Sequence, residues 1–248
     1  MKISLQLYSL RDACQSDLLG TIQRVGDMGY DGVEFAGFFG HSAEDIRKTL
    51  DAAGLVCSGT HVGLLGLSDD DFKASMEFHQ AIGAPYPIVP WTPSEKRANA
   101  EVGLATAHEF AELADKVAAY GMKTGYHVHD GDVKPLDGGK SFWQIVGENT
   151  PAHFLMQWDT CNGISGGADA VQAILDYPGR GASIHAKEYT PGKVIGDGEV
   201  PWDKVMDACR NVAGTEWLVV EHETYIDMTP FEAVERCLAG LRAALKAS

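Results

Sequence analysis

The chain has 248 residues, 45% hydrophobic and 22% charged, a balance that suits a packed globular protein and excludes a disordered one. Its 20 Lys and Arg face 35 Asp and Glu, and the formal net charge of −15 argues against a nucleic acid or an anionic membrane as partner. The length leaves two small domains or a single α/β barrel of ~250 residues.

The N-terminal Met1-Lys2-Ile3-Ser4-Leu5 enters a strand pattern at once, without the apolar core and cleavage site of a signal peptide. No run approaches the ~18 consecutive apolar residues of a membrane span. The cysteines, Cys14, Cys57, Cys161, Cys209 and Cys237, are odd in number and show no CxxC pair, which points to reduced thiols. A cytoplasmic protein is the expectation.

Strand and helix patterns then alternate along the chain. Strands are predicted at residues 3–7, 32–35, 56–61, 87–89, 123–128, 154–158, 182–185 and 217–220. Helices are predicted at 17–29, from Ser42 to about Gly54, and at 69–83, 101–120, 141–148, 169–177, 202–212 and 231–245. Asp17 is placed to cap the first helix and Ser42 the second, where Glu44 and Asp45 put negative charge in the first turn. In the fourth, Phe110, Leu113, Val117 and Tyr120 step by three and four along one face. Parallel strands need crossover helices, so eight such units predict a (β/α)8 barrel spanning residues 1–248. An open dinucleotide-binding sheet would carry a Gly-rich turn after its first strand, whereas Gln6-Leu7-Tyr8-Ser9-Leu10-Arg11-Asp12 has no glycine.

In a barrel, chemistry gathers at the C-terminal ends of the strands. Those ends carry Gln6 and Tyr8, Glu34, His61, His127 and His129, Asp159, His185 and Lys187, and Glu221 and Glu223. Residues two apart share a face, so strands five, seven and eight each aim a polar pair the same way, and strand six adds Asp159. Asp159, His185 and Glu221, with a fifth-strand histidine, form a divalent-metal ligand set of imidazole and oxygen. Gln6, Glu34 and His61 are candidates for substrate contact or for hydrogen bonding at the barrel rim. Lys187 could bind a substrate hydroxyl or pair with Glu188 or Glu223. Trp91, Trp158 and Phe38 could wall a sugar pocket or pack in the core.

Several segments together resemble the sugar phosphate isomerase/epimerase family of xylose-isomerase-like barrels. The first strand end is similar to its Q-x-Y-S-x-R start. Gly29-Tyr30-Asp31-Gly32-Val33-Glu34 resembles G-Y-x-G-V-E, and Tyr126-His127-Val128-His129 resembles the Y-H-N-H signature of one branch. Trp158-Asp159 followed by Gly166-Gly167-Ala168-Asp169 resembles the family's sixth-strand segment. His185-Ala186-Lys187-Glu188 is similar to H-x-K-D, Gly196-Asp197-Gly198-Glu199-Val200-Pro201-Trp202 to the G-x-G-x-V-D/P-W loop, and Glu221-His222-Glu223 to the terminal V-E-x-D. The resemblance implies one metal ligand from each of several strands in the second half of the barrel. Many members carry a fifth-strand glutamate as ligand and pair it with the eighth-strand glutamate in proton transfer. Here His127 stands at that position, and Asp132 replaces a glutamate that usually follows Y-H-N-H. His127 is the expected fourth ligand, beside Asp159, His185 and Glu221; His129, Asp132 or water are the alternatives.

The expected activity is metal-dependent isomerisation or epimerisation of a ketose or keto-sugar. A proton α to a carbonyl leaves and an enediolate forms, with Glu221 or one of His127 and His129 as base. His61, Lys187, Glu223, Gln6, Glu34 and Trp91 are the expected substrate contacts. Mn²⁺ is the first choice of metal, with Co²⁺, Mg²⁺, Zn²⁺ and Fe²⁺ as alternatives. The same proton abstraction on a 3-keto-glycoside or inosose would make the chain a lyase or dehydratase by β-elimination. A sugar-sized small molecule is the expected partner, and a homo-oligomer is allowed.

Overall fold

Alternating apolar strands and amphipathic helices pack as a parallel sheet covered by helices, and here the strands form a ring inside a ring of helices. The computed structural model describes residues 1–247. Its strands are β1 (Lys2–Gln6), β2 (Gly32–Phe35), β3 (Val56–His61), β4 (Pro87–Val89), β5 (Gly125–His127), β6 (Leu155–Gln157), β7 (Ser183–Ala186) and β8 (Trp217–Val220). They pair in parallel in the order β6-β5-β4-β3-β2-β1-β8-β7. The ends of that order meet where His185 N donates to the Trp158 carbonyl at 2.8 Å and Asp159 bridges to His185, so the sheet returns on itself as a (β/α)8 barrel. Among the described residues no helix is long and apolar enough to cross a membrane.

The helices are α1 (Arg11–Asp27), α2 (Ala43–Ala53), α3 (Asp69–Ile82), α4 (Ala100–Ala118), α5 (Phe142–Asn149), α6 (Thr160–Ser165), α7 (Gln172–Leu175), α8 (Trp202–Ala208) and α9 (Pro230–Ala247). Three differ from the sequence reading. Helix α1 starts at Arg11, but Asp17 has an extended backbone (φ −156°) and its Oδ1 accepts from Gly20 N at 2.9 Å. The expected cap is therefore real and sits at a kink inside a longer helix. The segment 169–177 holds only the four-residue α7, and an unforeseen six-residue α6 follows β6 directly. The segment 202–212 is α8 followed by a π turn over Cys209–Ala213. Ser42 caps α2 as expected, its Oγ accepting from Asp45 N at 3.1 Å.

The barrel interior changes character along its axis. Tyr86, Ile88, Leu155, Ala182, Trp217 and Val219 form a small buried apolar cluster, separate from the large core between sheet and helices. Two residues further along the same strands the inward positions turn polar: Leu155 gives way to Gln157, and Val219 to Glu221. Ser58 Oγ donates to Ser4 Oγ at 2.8 Å across the interior. A dry plug thus closes one end, and polar groups fill the end where the strands stop.

The β5–β6 contact leaves no room at Gly125. A Cβ there would lie 2.3 Å from the Leu155 carbonyl oxygen and 2.6 Å from the Leu155 Cβ. Gly125→Ala is expected to cost about 1–3 kcal/mol through overpacking, read as a lower urea midpoint at unchanged m-value. An unchanged midpoint would contradict the close approach of these strands.

Candidate metal centre and active site

Four side chains from the ends of β5, β6, β7 and β8 converge at the polar end of the barrel. His127, Asp159, His185 and Glu221 are all buried, and each offers a ligand atom within 4.8 Å of the others. The local fold explains Asp159. It lies just past β6 and caps α6, its Oδ1 accepting from Asn162 N at 2.7 Å. Its Oδ2 is buried without a hydrogen-bond partner. An orphaned carboxylate oxygen costs free energy unless a cation or proton meets it.

His185 lies between two carboxylates. Its Nε2 is 2.6 Å from Glu34 Oε2, and its Nδ1 is 3.0 Å from Glu221 Oε2 and 3.9 Å from Asp159 Oδ2. Burial alone would strip its proton, but Glu34 and Glu221 overcome burial and push its pKa up to about 10. Glu221 is held well below the usual carboxylate range: Lys187 and His185 outweigh its burial. Burial raises Asp159, and the nearby Glu221 charge adds to that. This is a donor set that fits a divalent cation. A cation beside the Nδ1 of His185 would replace one proton and leave the other on Nε2, anchored on Glu34, an arrangement common among metal-ligating histidines.

Beneath this cluster Gln157 fixes the rings of His61 and His127. Its Nε2 donates to Glu34 Oε1 and Ser183 Oγ, both at 2.8 Å, so its Oε1 must accept. That oxygen lies 2.9 Å from His61 Nε2 and 3.0 Å from His127 Nδ1. Both histidines therefore present N–H to Gln157, which leaves the Nε2 lone pair of His127 at 3.4 Å from Asn162 Nδ2. Burial, then the His185 and His61 charges, hold His127 well below its ordinary pKa, so its ring is neutral and able to ligate. Gln6 Nε2 donates to Glu34 Oε2 at 2.7 Å. Burial opposes the Glu34 charge, yet His61 and His185 keep its pKa lowered.

Above the cluster opens a cavity of about 410 Å³. His61, His127, His129, Lys187, Glu221, Glu223 and the exposed Trp91 line it. Gln6 and Glu34 do not; both are fully buried below it, in hydrogen bonds to each other and to the histidine network. Neither side chain is among those that line the cavity, and the bonds they make are those of the hydrogen-bonding alternative. Lys187 pairs with Glu223 and lies 3.7 Å from Glu221 Oε2. Burial works against its charge, but Glu221, Asp159 and Glu223 keep it protonated. Glu188 is not its partner: that carboxylate accepts from the backbone of Tyr189, Glu199 and Val200 and from Trp202 Nε1. Asp132 is tied to Arg97, to Tyr126 OH at 3.0 Å and to His129 N at 2.7 Å, away from the four-residue cluster. Trp158 packs on Trp143, and Phe38 on Phe35 and Phe78, so neither walls the cavity.

Sequence reasoning missed Gln157 and Asn162. Gln157 was within reach of the two-residue alternation, since it precedes Asp159 by two on the same strand. Asn162 needed knowledge of α6, whose first turn brings it against His127.

The pKa of His185 has a consequence for the metal-free protein. It is raised from 6.5 to about 10, so the stability it contributes is full below 6.5 and is lost as pH rises through 10. The urea midpoint of chelator-treated protein is expected to fall steadily from about pH 7.5 to about 9. A flat or rising midpoint would contradict the pairing of His185 with Glu34 and Glu221.

Comparison with known proteins agrees with this architecture. A family model described as xylose isomerase-like TIM barrel matches residues 22–244. A sugar phosphate isomerase/epimerase from Parabacteroides distasonis ATCC 8503 superposes with a TM-score of 0.82 at 23% identity, covering 98% of this chain and 94% of that one. The IOLI protein with a bound zinc atom gives 0.78 at 15% identity over 100% and 99% of the two chains. A D-psicose 3-epimerase with D-tagatose from Clostridium cellulolyticum H10 gives 0.73 at 15%, with 99% of each chain covered. A search of curated protein sequences finds no match to the chain. The family match spans most of the chain, and the chain belongs to the xylose isomerase-like TIM barrel family.

Proposed function

We propose that the chain is a divalent-metal-dependent sugar isomerase or epimerase that moves a proton on a carbon next to a carbonyl. The observation that carries this reading is the partnerless, buried Asp159 Oδ2, set among three further ligand groups, of which His127 and Glu221 line the polar cavity. His127, Asp159, His185 and Glu221 would hold the cation. When bound, it supplies Lewis-acid polarisation of a carbonyl and offsets the negative charge that develops as an α proton leaves. The mixed imidazole and carboxylate set suits Mn²⁺ first, and Co²⁺, Zn²⁺, Fe²⁺ or Mg²⁺ after it.

The chain's own residues divide the remaining work. His129 lines the cavity, burial lowers its pKa, and its Nδ1 has no hydrogen-bond partner. A neutral, uncommitted imidazole is a competent base near neutral pH. Glu221 is the second proton-transfer group. It faces the cavity but is held strongly ionised, so it accepts a proton reluctantly and gives one up readily. The Lys187 ammonium, kept charged by its carboxylates, is placed to donate to substrate hydroxyls. His61 and Glu223 add polar contacts, and Trp91 offers an apolar face for the C–H side of a sugar ring.

The test is solvent exchange. Metal-loaded protein incubated with a panel of ketoses and keto-sugars in D₂O is expected to place deuterium on the carbon α to the carbonyl. Glu221→Gln should slow that exchange by about 10²–10⁴-fold. Isomerisation conserves substrate mass apart from the deuterium; loss of water or an aglycone would shift the reading to elimination. Exchange that survives Glu221→Gln at full rate would contradict the assignment.

A further inference from the structure

The histidines of the site differ in how they are held. Gln157 fixes His61 and His127 through their ring nitrogens, and two carboxylates hold His185 through its own. The His129 ring meets His127 edge-on, with 5.1 Å between centroids, and its Nδ1 has no hydrogen-bond partner. A base must keep a nitrogen lone pair free for the substrate, so it cannot be anchored through that nitrogen. Its aim has to come from the backbone.

That backbone is held by a carboxylate outside the metal centre. Asp132 lies in the 3-10 turn Asp130–Val133 and is fully buried. Its Oδ2 accepts from His129 N at 2.7 Å and from Tyr126 OH at 3.0 Å, and its Oδ1 accepts from Arg97. Three donors and one cation are what a buried carboxylate needs to stay in place. Arg97 comes from the turn Ser94–Arg97 in the β4–α4 connection, which also carries Trp91. Tyr126 is itself fixed by its ring, packed edge-on against Phe142 and tilted on Phe110. One carboxylate thus joins the segments that follow two barrel strands, and each segment supplies a cavity wall: Trp91 after β4 and His129 after β5.

We propose that Asp132 is a positioning residue for proton transfer: it holds His129 aimed into the cavity by gripping its backbone N–H, and Arg97 holds Asp132. This rests on the reading of His129 as a base and adds what places that base.

Nuclear magnetic resonance of chelator-treated protein reads the placement without any substrate. The parent is expected to show a cross-peak between the His127 and His129 rings, and slow exchange of the His129 amide proton although that residue is partly exposed. Asp132→Ala should lose both. Asp132→Asn keeps an acceptor oxygen for the amide and should restore both. Arg97→Ala, at a side chain 27% exposed, should speed exchange of the same amide, and it decides the matter if Asp132→Ala does not fold. In metal-loaded protein, with any ketose or keto-sugar that the parent exchanges, Asp132→Ala should lower kcat for α-deuterium exchange by about ten- to a hundredfold while KM stays within about twofold. Asp132→Asn should recover most of that kcat. A rapidly exchanging His129 amide in the parent would overturn the proposal, and so would a cross-peak and an amide protection that survive Asp132→Ala, or protection that survives Arg97→Ala. A fall in kcat no larger than the loss of folded protein would reduce Asp132 to a structural role and overturn it too. Lost placement with kcat unchanged would strike His129 as the base and overturn the link to proton transfer. A parent that exchanges no sugar would contradict the sugar reading, and the resonance measurements then decide the placement of His129 by themselves.

Discussion

At the mouth of the barrel a single imidazole lies between two buried carboxylates. Glu34 Oε2 is 2.6 Å from one nitrogen of His185 and Glu221 Oε2 is 3.0 Å from the other. Neither carboxylate could stay ionised so deep without a partner, since an unpaired buried charge costs several kcal/mol. The pairing accounts for what surrounds it. Gln6 and Gln157 donate to Glu34 from both sides, and Gln157 in turn orients His61 and His127. The remaining carboxylate oxygen of the cluster, Asp159 Oδ2, faces the Glu221 side of His185 and has no donor of its own. A proton on His185 balances this group in part, and a divalent cation would balance more of it.

The barrel makes that cluster affordable by separating two jobs along one axis. The inward positions near the strand starts are apolar and well packed, with Leu155, Ile88, Val219 and Trp217 touching one another. Two residues later the same strands present Gln157 and Glu221. Stability from the dry plug and the outer core offsets the cost of the polar end. The loops beyond the strands then shape access, as with the capped turn of α6 that holds Asp159 and Asn162.

Much of this was legible in the sequence. The strand boundaries at 32–35, 56–61, 87–89 and 217–220 match β2, β3, β4 and β8, because β-branched and apolar runs bounded by glycine or turn residues leave few alternatives. The alternation of side chains is enough to put His127, Asp159, His185 and Glu221 at one end of the strands. Depth was not legible. Gln6 and Glu34 carry the same polar signature as Lys187 and Glu223, yet the first pair is sealed beneath the site and the second lines it. Position along the strand decides that, and a register shift between Val33 and Glu34 against β3 is invisible in composition. The short α6 is hidden for a related reason: Thr160–Ser165 is too brief to show a helical period, and its cap, Asp159, reads equally well as a strand-end carboxylate.

The central claim is that His185 and Asp159 exchange protons for a divalent cation. Calorimetric titration of the chelator-treated protein with Mn²⁺ at pH 7, repeated in buffers of different ionisation enthalpy, counts those protons directly. With His185 raised to about 10 and Asp159 raised as well, the account predicts stoichiometric binding with release of about one proton or more per cation. Binding without proton release, or no binding at all, would contradict it.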